Sequence, residues 1–287
     1  MPSQCSSRQR SQDNAASRRT TVSRPPRAVA LFLSLGMAGS AGAALLLQAP
    51  QAQAQHQHPA DPSQLAEGGE GGEGGEGGHG AEPATLLEDQ LAVLAQMQGH
   101  LLVAEELLNR GDSQGAEPHV GHPVDELYGA LEAAIAQGQL PPFRDSLEAL
   151  RQQVRLDPGA TATPQKLAQA RQAIAAANQT LSANLASQPA LVLAVVRQLA
   201  LTAASEYNGA VDGTEIRETI EYQDARGFLL QADRLLSQAL AATPAASASL
   251  QPARTRIAAM LKAFPSSQPP QRALLSVSAI QQLAAGI

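Results

Sequence analysis

Between Leu87 and Leu108 apolar residues return every three or four positions, at Leu87, Leu91, Leu94, Met97, Leu101 and Leu108. That period suits one thing, an α-helix with a single buried face. The pattern recurs down the chain, broken each time by proline or glycine. Aromatic residues make up only 2% of the sequence and there is no Trp. Cores built from Leu and Ala favour helices that approach closely; sandwiches and barrels draw on β-branched and aromatic residues instead. The sequence therefore predicts an all-α fold.

The first helix is expected from about Ala84 to Asn109, with Gly111 as its C-cap. A loop rich in Gly, Pro and His follows, ending at His122. Pro123 opens a second helix through Leu127, Leu131 and Ile135, and Gly138 stops it. Pro142 opens a third, through Leu147, Leu150 and Val154, and Asp157-Pro158-Gly159 makes a turn. Thr163-Pro164 caps a fourth, to about Leu185. Pro189 opens the fifth and most apolar, which is expected at the centre and ends near Glu206-Tyr207. A sixth runs from about Arg217 to Ala242, and two more lie around Ala246 to Phe264 and Pro270 to Ala285. The expected architecture is a bundle of about eight helices, in two four-helix lobes over residues 84–186 and 187–287.

The residues before this body read as an address and a tether. Six arginines between Arg8 and Arg27 precede an apolar run from Ala28 to Leu47, and Ala52-Gln53-Ala54 is a small-x-small cleavage site. This order is that of an export signal over residues 1–54. Ser17-Arg18-Arg19 is a partial twin-arginine pattern, though Thr21 and Val22 depart from it. The run is also long enough for an uncleaved anchor, which would be the chain's one expected contact with a membrane. Gly36, Gly39 and Gly42 and the cleavage site favour removal. The location expected is the periplasm, or the thylakoid lumen if the host is photosynthetic. Residues 55–83 form a disordered linker in which Glu-Gly-Gly repeats from Glu67 to Gly78.

Charge and cysteine content exclude several functions. Loss of residues 1–54 removes six Arg and one Asp, which takes the net charge from −6 to −11. A chain this acidic repels nucleic acid and attracts cations. The one cysteine, Cys5, lies in the leader, so the body has no disulfide, thiolate metal site or cysteine nucleophile. No nucleophile elbow and no glycine-rich nucleotide loop is present, so no catalytic residue is assigned and an enzyme is not expected.

The chemistry that remains lies between Gly99 and Tyr128, which holds all three histidines of the body: His100, His119 and His122. His122 and Glu126 are four apart and share a face if a helix begins at His122. Glu221 and Asp224, three apart, are the candidate oxygen donors of the second lobe. Imidazoles with carboxylates on facing helices suit iron, zinc, copper or manganese. The plainer reading makes His122 an N-cap, His119 an exposed loop residue, His100 a satisfied histidine beside the core, and the acids ordinary helix-end or surface groups.

Glu206-Tyr207, Ala210-Val211-Asp212-Gly213, Ile216, Glu221-Tyr222-Gln223-Asp224-Ala225 and Phe228 together resemble the soluble extracytoplasmic region of some bacterial high-affinity iron permeases. The Glu-Gly-Gly leader, Gly99-His100-Leu101 and His122-Pro123 with Glu126-Leu127-Tyr128 are similar to exported bacterial helical proteins. The permease's membrane helices with their paired-glutamate motif are missing, so the resemblance implies a companion of the transporter. It raises iron over other metals. The expected function is binding of a transition metal, with His100, His119, His122, Glu126, Glu221 and Asp224 as ligands, in uptake or delivery to a membrane metal transporter. The alternative is an interaction module for an envelope protein, with no metal.

Overall fold

The computed structural model describes residues 84 and 86–287; the expected export signal and the Glu-Gly-Gly linker lie outside the described residues. The fold is an all-α helical bundle, as its apolar periodicity requires. In order come α1 (Leu87–Asn109), α2 (Ser113–His122), a π-helical turn (Pro123–Leu127), a 3-10 turn (Tyr128–Leu131) and α3 (Glu132–Ala136). They are followed by α4 (Arg144–Leu156), α5 (Ala162–Leu181), α6 (Pro189–Ala210), α7 (Thr219–Ala242), α8 (Ser247–Met260) and α9 (Val277–Ala285). Between α6 and α7 a two-residue hairpin pairs Val211 with Ile216 and Asp212 with Glu215. Gly213 turns it, at φ +62°, a conformation that glycine adopts without strain.

Two apolar clusters fill the bundle. One gathers Leu94, Met97, Leu101 and Leu107 of α1 with α2, α4 and α5. The other gathers α6 to α9 with Leu91, Ala92 and Ala95 of the same α1. Helix α1 therefore belongs to both, and it is buried nearly all round. Helix α7 packs across it. Their crossing is set by two glycines. A Cβ on Gly227 would meet Gly99 O at 2.5 Å, and one on Gly99 would meet Phe228 Cδ1 at 2.9 Å. Only hydrogen at both positions lets the backbones come this near. His100 follows Gly99, and Asp224 stands three residues before Gly227, so the close approach also positions the site.

The structure corrects the sequence reading in four places. The histidine segment is the helix α2, not a loop: Asp112 caps it by accepting from Gly115 N–H at 2.8 Å, which outweighs the poor helix propensity of Gly115 and the interior Pro118. A helix does not begin at Pro123. Because Pro123 has no N–H to donate back into α2, the ladder widens there into a π turn. Helix α6, expected at the centre, exposes Leu201, whereas α1 and α7 are the deepest; by length and composition α6 passes as a membrane span, yet 44% of its most apolar window is buried inside the bundle. At the start of α1 Leu87 is exposed, because the stripe it begins lies beyond the first packed neighbour.

Candidate metal centre

The three body histidines meet at one carboxylate. His100 comes from the middle of α1, His119 and His122 from one face of α2, and Asp224 from the first turns of α7. Spacing i, i+3 puts the two α2 histidines side by side. Their Nδ1 atoms converge: His100 and His119 each lie 2.7 Å from Asp224 Oδ1, and His122 lies 3.2 Å from Oδ2. One ligand atom from each of the four residues can be chosen so that all lie within 4.8 Å of one another. Metal–ligand bonds near 2.1 Å separate the ligand atoms of one ion by roughly 3 to 4 Å, so the group needs only small shifts to hold one.

Burial makes this arrangement consequential. His119 is 0% exposed, His100 2% and Asp224 5%. Phe228 stands edge-on to His100, with ring centres 4.9 Å apart. A buried charge or polar atom without a partner is costly. Here two are short of partners: His100 Nδ1 and His122 Nδ1 are buried and make no hydrogen bond of acceptable geometry, despite the short distances.

The protonation of His119 follows from its surroundings. Gln223 Nε2 donates to Ser267 O at 2.9 Å, which turns the amide oxygen toward His119 Nε2, 2.8 Å away. That oxygen only accepts, so His119 Nε2 carries the hydrogen. In a neutral ring Nδ1 then presents its lone pair to Asp224 Oδ1, which is also an acceptor. Two lone pairs at 2.7 Å repel: a proton fits between them as they stand, and a metal ion relieves them once the atoms part to the roughly 3 to 4 Å that its ligands need.

Protons supply part of that charge. Burial holds His100 below the ordinary histidine pKa, although Asp224 pulls the other way. For His122 burial also opposes protonation, but the close Asp224 carboxylate, helped by the charges of Glu126 and Glu206, raises its pKa. Burial would raise the pKa of Asp224; the imidazoles, His100 foremost, outweigh it and hold the group well below the usual carboxylate range. One carboxylate thus faces three imidazoles, of which His100 is the one that burial, on balance, disfavours as a cation. That is a nitrogen-rich donor set for a transition ion.

The other expected ligands sit at the mouth. Glu126 Oε1 is 3.6 Å from His122 Nε2, and its side chain is half exposed. Glu221 lines the same cavity, of about 420 Å³, whose wall includes His100, His122 and Asp224. Neither belongs to the inner group of four. The plainer reading of His119 as an exposed loop residue and His122 as an N-cap does not hold, since His119 is fully buried and His122 ends a helix.

Two residues were missed as parts of the site. Gln223 orients His119, and nothing in its sequence position marks it except adjacency to Asp224. Glu206, on α6, lines the mouth. Burial, then the charges of Asp224, Glu221 and Glu126, push its carboxyl up to about 7.

Around the site, Arg151 of α4 donates to both oxygens of Asp125, at 2.8 and 2.6 Å, and reaches toward Glu117, so the segment carrying His119 and His122 is clamped to its neighbour.

Residues 182–287 match a family model described as an iron permease-associated 4-helix bundle domain. The match takes in α6 to α9, and so Asp224, Gln223, Glu206 and Glu221. The three histidines lie outside it, on α1 and α2. No curated protein and no solved structure matches the chain.

Proposed function

We propose that the protein binds a transition metal, iron being favoured, in a centre made by His100, His119, His122 and Asp224, and that it serves metal uptake or delivery at the cell envelope beside a membrane iron permease. The observation that carries this reading is the lone-pair conflict between His119 Nδ1 and Asp224 Oδ1, with two further imidazole nitrogens unpaired around the same carboxylate. A metal ion can take up all three nitrogens at once. Three imidazoles and a carboxylate suit Fe, Zn, Cu or Ni by chemistry alone. The likeness of residues 182–287 to an iron permease-associated domain supports iron among these. The metal here is cargo or resident ion, not the agent of a reaction, and no catalytic residue is assigned. Export to the periplasm, through the leader over residues 1–54, belongs to the same proposal.

The test is elemental analysis of the protein from Gln55 onward, prepared without a histidine tag. About one equivalent of metal is expected, and none in a His119→Ala/His122→Ala double variant that keeps its helical circular dichroism. Removing a ligand from such a centre costs more than the 10- to 100-fold typical of its supporting residues. A specific observation favours a second reading: His122 is drawn toward its protonated form, and a proton shared with Asp224 makes the cluster a structural one. The protein would then be an interaction module. Protein that stays metal-free after exposure to iron, zinc and copper, with unchanged melting, would select that reading.

A further inference from the structure

The cavity beside the centre bears on the form in which metal arrives. His119 is sealed by the bundle and His100 and Asp224 nearly so; His122, the least buried of the four, is 18% exposed at its side chain. The cavity of about 420 Å³ reaches His100, His122 and Asp224 at its inner end, and Glu126, Glu206 and Glu221 line it. Among the described residues Glu206 and Glu221 make no salt bridge, and Glu126 approaches only His122. At the floor, His100 Nδ1 is buried and unpaired. The mouth is thus negative and uncompensated, and an unsatisfied donor atom waits behind it.

We infer that the cargo enters through this mouth as an aquated divalent cation, not as an anionic metal chelate, and that the mouth carboxylates, Glu206 among them, meet it before the inner ligands do. The inference rests on the metal-binding reading above. Glu126 and Glu221, joined by Glu206 once pH passes about 7, attract a hydrated dication and repel a citrate-like or other polyanionic complex. The inner group offers four ligands, so a bound cation exchanges most of its water, or of a chelator's donor atoms, for protein ones. Glu206 stands on α6, lines the cavity and is not one of the four inner ligands, so its loss is expected to act on capture more than on holding.

The experiment is stopped-flow association of Co(II), followed by its visible spectrum, with metal-free protein from Gln55 onward and its Glu206→Gln variant, at low and high salt. Ferric citrate is offered to the wild type in parallel, and the protein fraction is assayed for iron and for citrate. The expected result is one Co(II) bound by both proteins, with association slowed about 10-fold by Glu206→Gln and by salt, dissociation little changed, and no citrate retained. Equal association rates at both salt concentrations, or iron taken up together with citrate, would overturn the inference while leaving the metal centre standing. No Co(II), Fe(II) or Zn(II) bound by the wild type would overturn both.

Discussion

Helices α1 and α7 carry two polar networks within two turns of each other, one partly buried and one buried, and they are built in opposite ways. At one, Glu106 Oε2 accepts from Arg226 Nε and Nη2 at 3.0 and 2.9 Å, while Glu106 Oε1 accepts from Ser267 N–H at 2.8 Å. Arg226 also donates to Phe264 O. Charges cancel and the fork is filled. The Ser267 N–H and the arginine hold the Glu106 carboxyl below its ordinary pKa even though burial opposes them. At the other, Asp224 faces three imidazoles, charges do not cancel and two ring nitrogens lack partners. A satisfied network fastens helices together; an unsatisfied one with the same helices on both sides stores a demand for a cation.

The difference can be broken from either side. The largest effect is expected from Glu106→Ala, which leaves Arg226 partly buried beside no carboxylate. Loss of one partner of such a pair costs about 3 kcal/mol, read by urea unfolding, and metal stoichiometry should stay at its wild-type value. A variant that loses metal as readily as stability would show the two networks to be one.

Gly227→Ala strikes at what they share. Its methyl would meet backbone, Gly99 O, and so the helices must part. About 2 kcal/mol of stability is expected to go, together with metal affinity, because Asp224 moves with α7. Unchanged affinity would mean that the centre tolerates separation of the helices.

Gln223→Leu tests the orientation of His119 most directly, although Ser267, its other partner, also serves Glu106. It frees the His119 tautomer and removes the link to Ser267 O. Affinity should fall 10- to 100-fold, as for other residues that orient a ligand histidine, with the fold otherwise intact by circular dichroism.

The smallest effect is in pH dependence. Glu206 and His122 both have folded pKa values above their unfolded ones. Their contributions to stability are complete below the unfolded values and fade as pH rises through the folded ones. Metal-free protein should therefore lose stability between about pH 5 and 8, and Glu206→Gln should flatten that slope. Added metal replaces the lost protons, so the rise in melting temperature on adding metal should grow over the same interval. Asp224 runs the other way: its folded pKa is depressed, so its contribution holds above about pH 4 and is lost in stronger acid. A melting temperature flat from pH 5 to 8 without metal would place the positive charge elsewhere.

Much of the bundle could be read from spacing, since each helix buries a stripe that its own residues specify. Gly111 and Gly138 ended helices as expected, both at positive φ. The histidine segment could not be read in this way. Its glycines and Pro118 argue for a loop by local propensity, and a cap at Asp112 with packing against α4 overrides them. His100 lies so far from the end of α1 that no turn geometry connects it to α2.

The sequence by itself determined that the chain is helical, where its helices break, and that an acidic body holds just three histidines. Those are matters of period, of backbone-restricted residues and of composition, each settled within a few neighbours along the chain. Only the tertiary structure decided that the three histidines share one aspartate. That depends on two glycines more than a hundred residues apart letting α1 and α7 touch, and on Ser267 turning the amide of Gln223. Local preferences carry no information about which distant backbone will come close enough, and that approach is what makes four ordinary side chains into a centre.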